Sequence, residues 1–159
     1  MAPSWCRRSL ALCLSAALFA CGAPPQASPV VPVVVADVVG VEARGMPMAY
    51  AFAVGVASAD TGCEQYADWW EVVSENGKLL YRRVLLHSHV DEQPFTRSGG
   101  PVPIQAATRV WVRAHMNTVG YGGGAWYGSV QTGFEPAVPP AGFAAQLATQ
   151  GPLPSGCDF

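Results

Sequence analysis

Asn76 and Gly77 stand between two apolar runs, residues 66–73 and 79–86, and this pattern constrains the fold more than any other. Both residue types accept the positive φ angles that a two-residue hairpin turn requires. The two apolar runs are therefore predicted to be neighbouring antiparallel strands.

A two-residue turn also fixes the register of this hairpin. The register places opposite charges, and an aromatic ring and a cation, directly across the ladder, where each such pair contributes roughly 0.2 to 1 kcal/mol. The predicted pairs are Glu75 with Lys78, Val73 with Leu80, Glu71 with Arg82, and Trp70 with Arg83.

Four other segments also carry strand patterns. Residues 48–57 alternate large with small side chains, and residues 109–117 alternate apolar with polar ones. Residues 33–43 are rich in valine and predict an edge strand, while residues 125–131 follow a flexible glycine-rich loop at 120–124. No long helix separates these segments, so the chain is predicted to be an all-β antiparallel sandwich rather than a parallel α/β protein.

Three details complete the predicted architecture. The small-residue face of segment 48–57 is not polar, so either another segment covers it or it is a surface poor in side chains. Residues 139–150, with proline near the start and Gly151 after the end, predict a short C-terminal helix. A tight loop after Phe95 would let Arg97 pair with Glu92.

The N-terminus has the features of an export signal. Arg7 and Arg8 precede an apolar run, residues 9–20, that is too short to span a bilayer but suits a signal peptide. The sequence Leu18-Phe19-Ala20-Cys21 resembles the lipobox of bacterial lipoproteins, which implies lipidation of Cys21; the alternative is an ordinary secretory signal. Gly22 in place of aspartate implies an outer-membrane anchor in a host with two membranes.

These segments predict four parts. They are a lipoprotein signal peptide at residues 1–20, the lipidated cysteine and a proline-rich tether at 21–32, a β-sandwich at 33–133, and a C-terminal extension at 134–159. All 11 acidic residues follow the signal, whereas two of the 9 Lys and Arg residues lie within it. The mature chain therefore carries a net charge of −4, which argues against a nucleic-acid partner.

The chain has five cysteines, of which two leave with the signal and Cys21 is the predicted lipid acceptor. Only Cys63 and Cys157 remain. In an oxidising compartment two such cysteines usually pair, so a disulfide is predicted to tie the C-terminal extension back to the domain. A catalytic thiol is the alternative.

The histidines are the residues on which metal chemistry could depend. On a strand, His87 and His89 would project from the same face, and His115 could approach them from a neighbouring strand. The three histidines would suit zinc or copper with an open fourth position. Asp91 and Glu92 could supply an oxygen ligand or orient an imidazole. The alternative is that His87 and His89 end the hairpin strand as a fixed structural corner. We find no catalytic motif, and no G-x-S-x-G sequence surrounds Ser88.

Aromatic and cationic side chains indicate a candidate binding surface. Trp111 shares a strand face with Arg109 and Arg113, and it is expected to lie outside, stacked with those guanidinium groups. Tyr121 in the following loop would extend the same surface.

Two resemblances bear on the fold and the identity. Residues 110–117, the glycine-rich turn and residues 126–130 resemble the last two strands of a fibronectin type III domain, which implies an immunoglobulin-like sandwich. The chain more closely resembles an uncharacterised family of exported bacterial proteins. The stretches that carry this resemblance are Asp60-Thr-Gly-Cys63, Gln65-Tyr-Ala-Asp-Trp-Trp-Glu-Val72, Tyr81-Arg-Arg83, His87-Ser-His-Val90, Glu92-Gln-Pro-Phe95, Arg97-Ser-Gly-Gly-Pro101 and Val112-Arg-Ala-His-Met-Asn117.

The sequence therefore predicts a lipid-anchored envelope module with a binding or structural role and without catalysis. Its expected partners are the membrane, through the lipid, and an envelope protein or glycan. No cofactor is expected. The alternatives are a protein that binds zinc or copper through His87, His89 and His115, and a metal-free hydrolase.

Overall fold

The structure is a computed structural model, and it describes residues 34–158. The predicted signal peptide, Cys21 and the tether lie outside these residues. The described part is an antiparallel β-sandwich, which confirms the predicted fold class. Its strands are β1 (Ala36–Met46), β2 (Ala49–Ser58), β3 (Ala67–Ser74), β4 (Leu79–Val84), β5 (Phe95–Val102), β6 (Val110–Met116), β7 (Ala125–Ser129) and β8 (Gly133–Ala137).

The strands form two sheets that enclose one core. The three-stranded sheet has the order β1-β2-β5, and the five-stranded sheet has the order β4-β3-β6-β7-β8. The large side chains of β2 point into the core, where Phe52, Val54 and Val56 are fully buried. Trp70 and Val72 of β3 fill the same core from the opposite sheet.

The predicted hairpin between β3 and β4 is present, with one difference in register. Glu71 faces Arg82 and Trp70 faces Arg83, as the two-residue turn predicts. Val73 faces Leu79 rather than Leu80, because a β-bulge interrupts the ladder after Val72. The predicted pair of Glu75 with Lys78 is wrong for the same reason: the Ser74 N–H donates to the Lys78 carbonyl at 2.9 Å, so the loop is longer than two residues.

Strand β5 was predicted only as a tight loop, and that prediction is wrong. Its Gly99, Gly100 and Pro101 are poor strand formers, yet the segment pairs with β2 along its length. Gly99 has a packing reason, because an added Cβ there would lie 2.5 Å from the hydroxyl of Tyr81.

The C-terminal extension crosses the outer face of the five-stranded sheet; we call residues 138–158 the C-terminal strap. Its only helical element is a 3-10 turn at Ala145–Thr149, so the longer predicted helix is not formed. The carbonyl oxygens of Phe143, Ala144 and Leu147 accept hydrogen bonds from arginine side chains of the sheet. The strap therefore does not cover the small-residue face of β2, which lies on the other sheet and is exposed to half-buried within the described residues.

Candidate functional site

The outer face of β3 and β6 carries the main polar cluster of the described residues. Alternation along the two strands places Glu71 of β3 and Arg113 of β6 on this face, directly opposite each other. Arg82 of β4 lies on the other side of Glu71. We call Glu71, Arg82 and Arg113 the arginine clamp.

The clamp is a buried ion-pair network. One carboxylate oxygen of Glu71 accepts a hydrogen bond from Nε of Arg82 at 2.8 Å, and the other accepts one from Nε of Arg113 at 2.9 Å. The side chains of Glu71 and Arg82 are fully buried, and that of Arg113 is nearly so. Two guanidinium groups thus share one carboxylate in a low-dielectric environment, where their remaining donors need partners.

The strap supplies those partners. The Arg82 guanidinium donates to the carbonyl oxygens of Leu147, Gln150 and Pro152, at 2.6, 2.5 and 3.1 Å. Arg113 donates to those of Phe143 at 2.7 Å and Ala144 at 2.9 Å. The clamp therefore binds the chain's own backbone, and its charged groups hold the strap in place.

Aromatic rings sandwich the clamp. The guanidinium carbon of Arg82 lies 4.3 Å from the ring centre of Trp69, and that of Arg113 lies 3.5 Å from the ring centre of Tyr121. Burial and the charge of Glu71 raise the pKa of Tyr121 to about 12, so this phenol stays protonated at neutral pH.

The predicted aromatic surface is organised differently from the expectation. Trp111 stacks on Tyr127 at 4.5 Å between ring centres, and Arg109 covers Tyr127 at 4.3 Å, so the expected stacking of Trp111 on the arginines is wrong. Arg113 is buried under the strap and only Arg109 is exposed. The rings of Trp111 and Tyr127 stack because the two residues face each other across β6 and β7. A binding role for these residues stays a prediction.

A cavity of about 440 Å³ lies between the strap and the loop 120–124. Its walls are mainly apolar, with the rings of Tyr121 and Phe143 and the Pro139-Pro140 pair, and Arg113 contributes to the lining. The loop predicted to be flexible is bonded to β1, since its Gly124 carbonyl accepts from the backbone N–H of Val38 at 2.9 Å.

His89 lies in a loop rather than on a strand. Strand β4 ends at Val84, so strand alternation no longer places His87 and His89 on one face. His87 is exposed whereas His89 is buried, although their ring centres are 4.5 Å apart. The His89 ring stacks on Phe95 at 3.7 Å. Both ring nitrogens lack a hydrogen-bond partner.

Asp60 fixes the backbone around this histidine. Its carboxylate accepts hydrogen bonds from the backbone N–H groups of Ala67 at 3.0 Å and His89 at 2.8 Å, and from the Ser58 hydroxyl at 2.6 Å. Sequence reasoning gave Asp60 no role, because its partners lie 7 and 29 residues away along the chain.

His115 has separate partners. Its Nδ1 lies 2.7 Å from a carboxylate oxygen of Asp68, and its ring stacks on Trp69 at 3.7 Å. Within residues 34–158, no three His, Cys, Asp or Glu side chains are arranged to hold a metal ion. Glu92 instead pairs with Arg97 at 2.7 Å, as predicted, so His87, His89, His115 and Glu92 do not form one ligand set. Metal binding itself stays an untested prediction.

Acid is expected to weaken the fold through His89. Burial, with the charges of Arg97 and His87, lowers the pKa of His89 below 6.5 in the folded protein, against the partial opposition of Asp60 and Glu92. The unfolded chain then binds more protons, so this stabilisation is complete above pH 6.5 and is lost as the pH falls towards the folded-state pKa. Urea unfolding of wild type between pH 7 and pH 5 should show this loss.

His89→Phe should remove most of that pH dependence, because phenylalanine keeps the stack on Phe95 without a titrating group. His87→Gln, at the exposed neighbouring position, is the matched control and should retain it. If the free energy of unfolding of His89→Phe fell with pH as steeply as that of wild type, other groups would cause the acid sensitivity.

The predicted disulfide is confirmed. Cys63 and Cys157 are joined, with their α-carbons 5.7 Å apart and a sequence separation of 94. Next to the bridge, the backbone N–H of Asp158 donates to the carbonyl of Leu86 at 2.6 Å. The end of the strap is thus attached covalently to the loop before β3.

The comparisons with known proteins point to one relative. No protein-family model and no solved structure matches the chain. None of the helices in the described residues is long and apolar enough to cross a membrane. The chain is similar to a protein of Halomicrobium mukohataei named "Putative lipoprotein", with 38% identity over 107 residues, which is 67% of this chain and 48% of that protein. The chain thus spans about half the length of this relative.

Proposed function

We propose that the chain is a lipid-anchored module of the cell envelope with a non-catalytic binding role, and that the cavity beside the strap takes the ligand. The cavity is the observation that carries the binding role. Ligand pockets commonly have volumes of about 300 to 1,000 Å³ and mainly apolar walls with a few polar groups. The cavity of about 440 Å³ has this character.

The envelope location has three independent supports. The N-terminal sequence carries an export signal and a lipobox-like segment ending in Cys21. The Cys63–Cys157 disulfide suits an oxidising compartment. The relative from Halomicrobium mukohataei is named for the same class of protein. Gly22 after the cysteine favours the outer membrane where the host has one.

Chemistry at the cavity favours binding over catalysis. Glu71 is fully engaged by two arginines, so it is not placed to act as a base. Tyr121 has its pKa raised to about 12 and stays protonated. An apolar protein segment suits these walls better than a glycan, because buried sugar hydroxyls need polar partners.

The strand order supports the immunoglobulin-like class implied by the fibronectin type III resemblance. Immunoglobulin-type sandwiches place the first, second and fifth strands in one sheet, and the third, sixth and seventh in the other. Sheets β1-β2-β5 and β3-β6-β7 have these neighbours. Strand β4 differs from the constant-type arrangement, in which the fourth strand joins the first sheet, because here it pairs with β3; β8 extends the other edge of that sheet. Loops and edges of such sandwiches commonly carry binding sites.

The binding role is tested with anilinonaphthalene sulfonate, a fluorescent probe of apolar cavities. Wild type should bind it saturably at one site, and Ala145→Trp should abolish that binding because Ala145 lines the cavity. Gln146→Trp, exposed and outside the lining, is the matched control and should bind as wild type does. Absence of binding to folded wild type, or equal binding by Ala145→Trp, would contradict the proposal.

A further inference from the structure

The turn between β1 and β2 places a methionine where the backbone favours glycine. Met46 pairs with Ala49 across the hairpin, so Pro47 and Met48 are the two central residues of the turn. Met48 has a φ of 68°. Proline followed by a residue of positive φ is the pattern of a type II turn, in which glycine or asparagine usually occupies the second position.

Both methionines of this turn are exposed. Met46 has 73% and Met48 52% of its surface accessible, whereas Met116, the remaining methionine of the described residues, is fully buried. The Met48 backbone N–H donates to the carbonyl of Ile104 at 2.8 Å, which holds the turn in place. The two thioether side chains therefore contribute little to the core while standing on a fixed backbone.

Thioethers are the soft ligands that persist in an oxidising compartment. Thiols pair there, as Cys63 and Cys157 do, and no free thiol remains within residues 34–158. Thioether sulfur prefers soft cations such as Cu(I) over Mg²⁺ or Ca²⁺. Met46 and Met48 are two residues apart, and three rotatable bonds in each side chain allow both sulfurs to reach one ion.

We propose that the Met46-Pro47-Met48 turn binds a soft monovalent cation, Cu(I) or its analogue Ag(I), through the two thioether sulfurs. The site is separate from the histidines. Strand β1 runs 11 residues from the end where the described chain begins to this turn, a span of about 35 Å. His89 stacks on Phe95, the first residue of β5. The last residue of β5, Val102, pairs with Tyr50 next to the turn. His89 therefore lies at the end of β5 that is far from the turn.

The test follows each methionine separately by the NMR signal of its ε-methyl group, in the processed full-length protein titrated with silver nitrate. The Met46 and Met48 signals should shift together and reach a plateau at one equivalent of Ag(I). Met116 should not respond, because it is buried. His87→Ala combined with His89→Ala should leave the response unchanged.

Single substitutions test whether the two sulfurs act as one site. In Met46→Leu, the Met48 signal should need about tenfold more Ag(I) or fail to shift, and Met48→Leu should have the reciprocal effect on Met46. Leucine keeps the apolar surface, so a merely hydrophobic role would survive these changes. An absent shift in wild type, or an unchanged titration of the remaining methionine, would overturn the proposal. Met48→Gly should raise the urea midpoint of unfolding, because glycine adopts the positive φ of this position without strain. The same variant should lose the joint response, so that Ag(I) no longer shifts the Met46 signal at one equivalent.

Discussion

Replacing Glu71 with glutamine is expected to lower the free energy of unfolding by about 3 to 5 kcal/mol, because it removes the only carboxylate of the arginine clamp. Arg82 and Arg113 would remain buried without a compensating charge. The free energy of unfolding of an ordinary domain is about 5 to 15 kcal/mol, so the variant should be close to unfolding at 37 °C. Urea denaturation followed by tryptophan fluorescence measures the change.

Glu42→Gln is the matched control for this prediction. Glu42 also pairs with an arginine, Arg44, at 3.0 Å, but both side chains are largely exposed. Exposed pairs are screened by water and contribute little, so this variant should unfold at nearly the same urea concentration as wild type. Equal stability of Glu71→Gln and Glu42→Gln would show that the clamp does not hold the strap.

Removal of the disulfide by Cys63→Ala and Cys157→Ala together is expected to cost about 4 to 5 kcal/mol. The bridge closes a loop with a sequence separation of 94 residues, and the chain-entropy model assigns about this value to loops of that size. Urea unfolding of the double variant, compared with oxidised and reduced wild type, measures the effect.

Reduced wild type should match the double alanine variant, which separates loss of the bridge from any effect of the substitutions. The end of the strap should then exchange its backbone amide protons faster, beginning with Asp158, whose N–H bonds to Leu86. A double variant as stable as oxidised wild type would mean that the clamp alone fixes the strap.

The hairpin was predictable because its determinants are local. Asn76 and Gly77 specify the turn, and the turn brings Glu71 opposite Arg82. The bulge after Val72 was not predictable, because it shifts the register without a glycine or proline to mark it. Strand β5 was missed for the opposite reason: Gly99 breaks the strand pattern in sequence but makes room for Tyr81 in the fold.

The full clamp could not be predicted from the sequence. Arg113 lies 42 residues beyond Glu71, and their contact depends on the pairing of β3 with β6, which no local pattern specifies. The strap was expected to form a helix because Pro139 and Gly151 match helix boundaries. Its carbonyl groups are instead used by the arginines, so long-range hydrogen bonds override the local preference.

The placement of His87 and His89 on one face of a strand was wrong for a related reason. The i, i+2 argument holds only on a strand, and β4 ends three residues before His87. His115 lies on β6, as expected, but Asp68 and Trp69 of the neighbouring strand occupy it. The cysteine pairing was correct because a count of the cysteines and the compartment sufficed, without any knowledge of the fold.

The most direct test of a lipid-anchored envelope module is the state of Cys21. Wild type and Cys21→Ser are produced in a bacterial host that processes lipoproteins, labelled with an alkyne fatty acid and partitioned between detergent and water. Wild type should carry the label, begin at Cys21 after processing and enter the detergent phase. Cys21→Ser should lose the label and keep its signal peptide. An unlabelled wild-type protein that is cleaved elsewhere and enters the aqueous phase would contradict the account.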